Sequence, residues 1–272
     1  MTKGDFTFGV PEEKAVAWYS PSRLLTAIGC MYQYKRRYLE GVMINPTGIM
    51  SWGSSVHKVI ETNCNRRITR QPELTLSEMK QVFSEEWSSR RPGSEFASEE
   101  EFDELGEQGE GVFDHIEQYI RSLSPEKTEC ETKKIISDDE NYGLRGFIDM
   151  VDVKGKIFDF KTTARRPSKN AQGLPTASVE HRFQLTTYAY CESDGGQHEV
   201  RCSNVYIIRK KKPEIIEVPV LITVEEMKRH EAHVKVWIEM LRHPDQAFPP
   251  NRRYKLCTPK YCPVWDDCHE KY

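Results

Sequence analysis

The sequence lacks the features that define several large classes of protein. It contains no run of about 18 apolar residues that could cross a membrane, and residues 1–10 show no charged segment followed by an apolar one, the pattern of a secretory leader. It also has no internal repeat and no low-complexity segment. With 30% charged and 38% hydrophobic residues among 272, it predicts a folded, intracellular, cytoplasmic protein without membrane partners.

The chain also has little net charge. The formal value of -3 argues against a surface that grips nucleic acid over its whole area. Local basic clusters nevertheless occur at residues 35–37, 165–166, 209–212 and 252–253. Any one of these clusters is more often a solvated surface than a binding site, but several flank the candidate site in sequence. They are compatible with a local basic groove.

The eight cysteines lack the regular spacing of a disulfide framework. In a reducing compartment they are better explained as buried thiols plus metal ligands. Cys257, Cys262 and Cys268 lie close together in a proline-rich tail, and Cys30 supplies a fourth ligand from an early segment. The others are predicted to be small core residues: Cys64, Cys130, Cys191 and Cys202.

Apolar periodicity predicts a helical first part and a mixed second part. The first predicted helix spans residues 23–39 and contains Cys30. The second starts at an N-cap, Ser54 or Ser55, and runs to residue 68 with His57 in its first turn. Two more are predicted at 76–87 and 102–123, although Gly106, Gly109 and Gly111 weaken a continuous helix in the last of these. Short segments rich in Ile, Val, Phe and Thr then predict a three-stranded meander at 129–137, 144–153 and 157–163. A helix at 179–191, two strands at 203–209 and 214–220, and a last helix at 223–241 are predicted to follow.

The most informative stretch is Gly146-Phe-Ile-Asp149, followed on the next strand by Asp159-Phe160-Lys161. Side chains alternate between the faces of a strand, so Asp159 and Lys161 share one face. A three-residue turn at residues 154–156 would place Asp149 opposite Lys161, on that same face. A two-residue turn would place Asp149 on the other face. The alternation of apolar residues favours the three-residue turn.

In that register the hairpin would bring two carboxylates and an ammonium group together. Hard oxygen ligands suit Mg²⁺ or Mn²⁺. The Lys161 ammonium could then polarise or deprotonate an attacking water and stabilise a phosphate transition state. Alone, Asp159 and Lys161 would be better explained as a surface ion pair worth less than about 1 kcal/mol. The interpretation therefore depends on the wider set of residues around them.

That wider set resembles the PD-(D/E)XK nuclease superfamily and, within it, the RecB-like exonuclease branch. The glycine and aspartate of the family look like Gly146 and Asp149, its acidic-x-lysine element resembles Asp159 to Lys161, and its Q-x3-Y element is similar to Gln184 and Tyr188. The resemblance implies that Asp149 and Asp159 bind metal with the help of the Phe160 carbonyl, and that Lys161 is catalytic. It implies that Gln184 and Tyr188 lie on a helix by the site, where they touch DNA or orient other groups.

Two further ligands are expected by the same resemblance. His57, in the sequence Gly53-Ser-Ser-Val-His57, matches a histidine that this branch carries on a helix before the sheet, and a nitrogen ligand shifts preference somewhat toward Mn²⁺. Glu129 or Glu131 could add another carboxylate, although strand glutamates are commonly just solvated.

The cysteine spacing resembles a subset of the RecB-like nucleases that includes the AddB nuclease domain and the CRISPR-associated adaptation exonucleases. In that subset one early and three late cysteines hold a 4Fe-4S cluster, which ties the tail to the N-terminal helix. Four residues separate Cys257 from Cys262, where two are more usual, and this departure keeps zinc open, with His269 as a substitute ligand.

The sequence thus predicts an α/β protein with a restriction-endonuclease-like core, a mixed central sheet flanked by helices, and a tail tethered by iron and sulfur. Residues 1–272 are expected to form a single nuclease domain with a helical part at 20–125, a catalytic core at 126–242 and a cysteine-containing tail at 243–272. The expected activity is metal-dependent DNA hydrolysis, as an exonuclease on single-stranded ends in recombination, repair or phage DNA metabolism, with a helicase or recombination partner. The alternative is a non-catalytic scaffold that binds DNA or a partner.

Overall fold

The computed structural model describes residues 16–243 and 245–271. Residues 1–10, on which the expectation of no secretory leader depends, lie outside this part of the chain. Among the described helices, none has both the length and the apolar character needed to span a bilayer.

Strands and helices follow one another largely in the predicted order. The strands are β1 (Ala17–Tyr19), β2 (Pro125–Ile135), β3 (Tyr142–Asp152), β4 (Ile157–Thr163), β5 (Val200–Ile208) and β6 (Glu214–Ile222). The helices are α1 (Pro21–Gly29), α2 (Met31–Tyr34), α3 (Gly48–Ile68), α4 (Leu76–Arg90), α5 (Glu99–Ser122), α6 (Val179–Glu192), α7 (Val224–Arg242) and α8 (Trp265–Lys271). A π-helical segment, Lys35–Leu39, continues α2.

The strands form one mixed sheet in the order β1-β3-β4-β5-β6, with β2 paired to β3. Gly143 pairs with both β1 and β2, and Met150 pairs with both β2 and β4. Therefore β1 and β4 share one edge of β3, and β2 occupies the other. On the edge of β3 that β1 and β4 share, residues 145–149 lie between these two strands and pair with no described strand. We call this gap in the sheet the β3 notch.

Helices cover both faces of the sheet, and a hydrophobic core lies under each layer. The first core joins α1, α6 and α7 to one face, with Leu24, Leu185 and Ile238 buried in it. The second joins α3, α4 and α5 to the other, and includes Trp52 and Phe83. The sheet flanked by helices confirms the predicted α/β architecture. It leaves the β3 notch near the middle of the sheet.

Three helix predictions need correction. Cys30 does not lie inside a helix, because its extended backbone (φ -157°, ψ 111°) ends α1 before α2 begins. Helix α3 starts two turns earlier than predicted, with the Thr47 hydroxyl accepting a hydrogen bond from the Met50 N–H, so that His57 lies in mid-helix. Helix α5 runs without a break through its glycines because Gly109 faces the Phe83 ring, where a Cβ would lie only 1.8 Å away.

The turn between β3 and β4 is longer than predicted. Val151 pairs with Ile157, where the sequence predicted Val153, so the connection spans residues 152–156. The Asp152 carboxylate accepts hydrogen bonds from the backbone N–H groups of both turn lysines, at 2.8 and 2.9 Å. These bonds stabilise the longer turn, and the predicted register was wrong by two residues.

A shift of two residues keeps the parity of the faces. Phe158 and Phe160 still share one face, packed in the core under α3. The alternation on β3, however, breaks at Asp149. Ile148 packs in the core of α6 and Met150 in the core of α3, so these residues lie on opposite faces although a regular strand would place them on the same face. Asp149 therefore sits at the point where β3 turns over.

Candidate active site

Asp149 is held where β3 and β4 separate. Its Oδ2 accepts a hydrogen bond from the Phe160 N–H at 2.6 Å, a donor that the separation leaves without an acceptor on the backbone of β3. Its own carbonyl accepts a hydrogen bond from the Thr128 hydroxyl on β2 at 2.9 Å. The carboxylate is thereby fixed across the β3 notch, with Oδ1 lying 3.8 Å from Nδ1 of His57.

Asp159 is almost completely buried, with 1% of its surface exposed. Its Oδ1 accepts a hydrogen bond from Lys161 Nζ at 2.7 Å, and its Oδ2 accepts one from Asn204 Nδ2 at 2.8 Å. Asn204 is its direct neighbour on the parallel strand β5. A buried carboxylate without donors would be strongly destabilising, and these two donors stabilise Asp159 in its buried position.

His57 reaches the carboxylates because α3 passes close to β4. Gly53, one turn earlier, makes this approach possible, since a Cβ there would lie 2.5 Å from the Thr162 hydroxyl oxygen. The imidazole packs edge-on against the Phe160 ring with 6.3 Å between centroids. Burial, helped by the charge of Lys161, lowers the pKa of His57 to about 4. The imidazole is therefore neutral at pH 7 and has a lone pair free for a metal ion.

The two aspartates carry pKa values shifted in the same direction. Burial raises the pKa of Asp149 and that of Asp159, and the nearby Lys161 ammonium partly offsets both shifts. The charge of Asp149 raises the pKa of Asp159 further. A cation between the two groups would relieve this repulsion, which is the electrostatic setting of a metal site.

Glu129 and Glu131 occupy different surroundings. Glu129 lines the same pocket as His57 and Asp149, and burial together with the charge of Asp149 raises its pKa to about 7. Glu131 forms an ion pair with Arg145 at 2.6 Å and does not line that pocket. Of the two glutamates, Glu129 is the one placed beside the site.

The structure thus brings the predicted nitrogen, carboxylate and carbonyl donors close to one another. These donor types suit Mg²⁺ or Mn²⁺. Within residues 16–243 and 245–271, however, no group of three or more His, Cys, Asp or Glu side chains is arranged to hold a metal ion. Both oxygens of Asp159 already have donors. The donor set fits a divalent ion in chemistry, because each carboxylate oxygen keeps a second lone pair beside the one that its donor occupies.

Gln184 and Tyr188 lie one turn apart on α6, with Gln184 Nε2 donating to the Tyr188 hydroxyl at 2.6 Å. Tyr188 is only 4% exposed and packs on Gly146, where a Cβ would lie 2.4 Å from the tyrosine ring. Burial raises the pKa of Tyr188, so its hydroxyl is neutral. The glycine of the motif therefore provides the space for this tyrosine, and Gln184 lines a pocket at the β3 notch.

The four cysteines predicted as ligands line one pocket between the α1–α2 junction and the tail. Cys30 and Cys268 are buried in a small cluster that Cys262 contacts. Burial, then the neighbouring thiols of the other three, raises the pKa of Cys262. The backbone N–H of Asn251 lies 3.4 Å from Cys30 Sγ, so the tail reaches the early cysteine directly. The structure brings the four cysteines together, but it does not show an iron-sulfur cluster bound to them.

Known proteins give an independent comparison. A family model described as the PD-(D/E)XK nuclease superfamily matches residues 19–269. The chain belongs to that superfamily. No curated protein matches the sequence. The superfamily consists of nucleases that use divalent metal ions, so membership supports a nuclease with DNA as its substrate.

Solved structures are similar to this PD-(D/E)XK chain at low identity. The crystal structure of a candidate exonuclease from Eubacterium rectale gives a TM-score of 0.60 at 13% identity, over 99% of this chain and 94% of that chain. This similarity shows the fold alone. The structure of SSO0001 gives a TM-score of 0.41 at 19% identity, over 97% of this chain and 90% of that chain. A score this low does not indicate a shared fold.

Two residues of this PD-(D/E)XK site escaped sequence reasoning. Asn204 contacts Asp159, and Thr128 contacts Asp149. Asn204 had a detectable signal, since it is an amide at the start of the apolar run Val205-Tyr-Ile-Ile, where a buried polar group needs a partner. Thr128 had none, because threonine is an ordinary strand residue.

Proposed function

We propose that the protein is a metal-dependent deoxyribonuclease that hydrolyses phosphodiester bonds. We place it in the RecB-like branch, as a single nuclease domain acting as an exonuclease on single-stranded DNA ends in recombination, repair or phage DNA metabolism. The observation that carries the proposal is the convergence of the Asp159–Lys161 pair, Asp149 and the neutral His57 at the β3 notch. A surface ion pair would not require a buried aspartate or a helix brought into close approach by Gly53.

In this proposal Asp149, Asp159, His57 and the Phe160 carbonyl hold Mg²⁺ or Mn²⁺. Such an ion lowers the pKa of a bound water and offsets the charge of the phosphate. The hydrogen bond from the Phe160 N–H keeps one oxygen of Asp149 occupied and the other free to face the site. The role of the protein is to keep these donors in place before the substrate arrives.

Lys161 acts directly on the reacting atoms. Its Nζ lies 2.7 Å from Asp159 and its side chain is 22% exposed, so the ammonium group is held beside the site and remains accessible. There it orients the attacking water and stabilises the negative charge that builds on the phosphate. Asn204 keeps its hydrogen bond to Asp159 while Lys161 is engaged with the substrate.

The test compares Lys161→Ala with Lys156→Ala on end-labelled single-stranded DNA, in Mn²⁺ and in chelator. Lys156 is a matched control, because it is 23% exposed and paired with Glu217 at 2.5 Å, away from the notch. We expect cleavage only with metal, a loss of at least about 100-fold in Lys161→Ala, and a rate within about two-fold of wild type in Lys156→Ala. Equal cleavage by both variants, or cleavage in chelator, would refute the proposal.

We also propose that Cys30, Cys257, Cys262 and Cys268 hold a 4Fe-4S cluster. Their shared pocket and the sulfur contact from the tail support a site for a metal group. Such a group would supply cross-links between the tail and the α1–α2 junction. Brown protein with broad visible absorption after anaerobic purification is the expected result, and colourless protein containing zinc would contradict it. His269 Nδ1 lies 3.0 Å from the Trp265 carbonyl and its Nε2 contacts the Arg252 guanidinium, so zinc binding through Nε2 would have to displace Arg252.

One observation favours the alternative of a non-catalytic scaffold that binds DNA or a partner such as a helicase. The described residues contain no group of three or more His, Cys, Asp or Glu side chains already arranged to hold a metal ion. The same digestion separates the two functions. DNA binding without metal-dependent cleavage at any Mn²⁺ concentration would establish the scaffold and exclude the nuclease.

A further inference from the structure

A second pocket opens directly beside the proposed reaction centre. It lies at the β3 notch, and its lining includes Trp18, Arg145, Phe147, Gln184 and Tyr188. The family resemblance gives a role only to the last two of these residues. The aromatic and basic residues at its mouth therefore have no role in the chemistry described so far.

Phe147 is the residue that most needs an explanation. It is 48% exposed, although it lies on the central strand of the sheet. The guanidinium of Arg145 lies 5.2 Å from the centre of its ring, and Glu131 fixes that guanidinium with an ion pair at 2.6 Å. An exposed aromatic ring beside a positioned arginine is the combination that binds the flat face of a nucleobase.

A second ring lies at the same pocket. Trp18 on β1 is partly buried, and Lys133 Nζ lies 5.7 Å from the centre of its ring. Two rings, each with a cation beside it, therefore meet the same opening. Positive charge at the mouth would attract the phosphates of an approaching strand, and the rings would receive its bases.

The spacing along β3 relates this pocket to the proposed cleavage site. Phe147 and Asp149 are two residues apart on one strand, a separation of about 7 Å. This is on the order of the distance between neighbouring nucleotides in an extended single strand. A base on Phe147 would thus belong to a nucleotide next to the one whose phosphate meets Asp149.

We propose that Phe147, with Arg145 and Trp18, forms a subsite that stacks an unpaired base of the DNA strand next to the scissile phosphate. The inference deepens the proposed nuclease function and rests on it for the identity of the substrate. Only an unstacked base presents its face to a protein ring, so the subsite selects single-stranded over double-stranded ends.

The first test measures binding of a fluorescent single-stranded oligonucleotide in chelator, where no cleavage occurs. We expect Phe147→Leu to weaken binding about ten-fold and Phe147→Tyr, which keeps the ring, to stay within about two-fold of wild type. Tyr261→Leu is the matched control, because Tyr261 is also exposed, at 57%, with Lys260 Nζ 5.4 Å from its ring centre, but does not line the pocket. It should bind like wild type.

The second test replaces one base at a time with an abasic site. Wild-type protein should lose about ten-fold in affinity at one position, and Phe147→Leu should lose nothing further at that position, because the ring and the base form one contact. Equal losses in both proteins at every position, unchanged binding by Phe147→Leu, or no DNA binding by wild type would each overturn the inference. Metal-dependent cleavage is measured separately. Cleavage without the position-specific loss of affinity would refute only the subsite, and that loss without cleavage would refute only the nuclease.

Discussion

The acid and lysine site and the cysteine pocket are held in place by different means. Asp149, Asp159 and Lys161 lie on adjacent strands, so the hydrogen bonds of the sheet fix their positions without any ligand. The cysteine pocket joins an early turn to an irregular tail, and its buried cluster contains little besides Cys30, Tyr32, Val264 and Cys268. The comparison teaches that the sheet fixes the first site, whereas the second has few packing contacts and, in our proposal, is ordered by a bound group.

The largest expected effect removes one charge from the site that the sheet builds. Asp159→Asn keeps the shape of the side chain but removes the carboxylate, and should lower the cleavage rate at least about 100-fold. Asp194→Asn is the control, because Asp194 also pairs with a lysine, Lys134 at 2.5 Å, but on the exposed surface. If both variants cleave equally well, the buried aspartate has no catalytic role.

A second substitution removes one ligand from the cysteine pocket. Cys30→Ser should release the tail to limited proteolysis and lower the melting temperature by roughly 4–8 °C, because the tail would lose the group proposed to bind there. Cys191→Ser is matched in burial, with 8% exposed against 9% for Cys30, but lies in the sheet core. It should leave the tail resistant to protease. A tail equally resistant in both proteins would show that packing alone orders it.

A third pair of variants tests how the sheet makes room for its site. Gly146→Ala would push a methyl group to 2.4 Å from the Tyr188 ring, and overpacking should cost about 1–3 kcal/mol in the free energy of unfolding. Gly111→Ala meets nothing within 4 Å and should instead stabilise α5 by up to about 1 kcal/mol. Urea unfolding measures both changes. If both substitutions changed the free energy of unfolding in the same direction, the close packing at Gly146 would be contradicted.

The smallest expected effect concerns acid stability under the α7 layer. Burial lowers the pKa of His230 to about 4, below its ordinary value of 6.5, and its Nε2 lies 2.9 Å from the Thr187 hydroxyl. Below pH 6.5 only the unfolded chain takes up this proton, so the free energy of unfolding should fall by roughly 1 kcal/mol per pH unit until about pH 4. His230→Gln should flatten this slope in urea unfolding between pH 6.5 and 4.5. An unchanged slope would exclude His230 as its source.

Local pattern was sufficient to predict most of the elements, and long-range packing explains the errors. The period of two in Phe158 and Phe160 and the helical repeat of α7 depend on residues close in sequence. The π-helical segment, the break at Cys30 and the length of α5 depend on partners far away, such as the Phe83 ring against Gly109. The turn at 152–156 is set by the Asp152 side chain, a local signal that a count of loop residues does not include.

The candidate site was predictable in its members more than in its geometry. Sequence order and resemblance singled out His57, Asp149 and Lys161, and the structure places them at one notch. Where β3 separates from β4, Asp149 can accept a hydrogen bond from the Phe160 N–H. The sequence could not predict this separation, because it interrupts the alternation of buried and exposed side chains on which the prediction depended. The roles of these residues in binding metal and in catalysis remain predictions.

Direct measurement of Mn²⁺ binding tests the central claim most closely, because it needs neither substrate nor a choice of DNA end. Calorimetry on the protein, with the cysteine pocket intact, should show Mn²⁺ binding that is lost in Asp149→Asn and retained in Asp194→Asn. Mn²⁺ binding of equal strength in wild type and Asp149→Asn would contradict the account, since the notch would then not be where the metal ion is held.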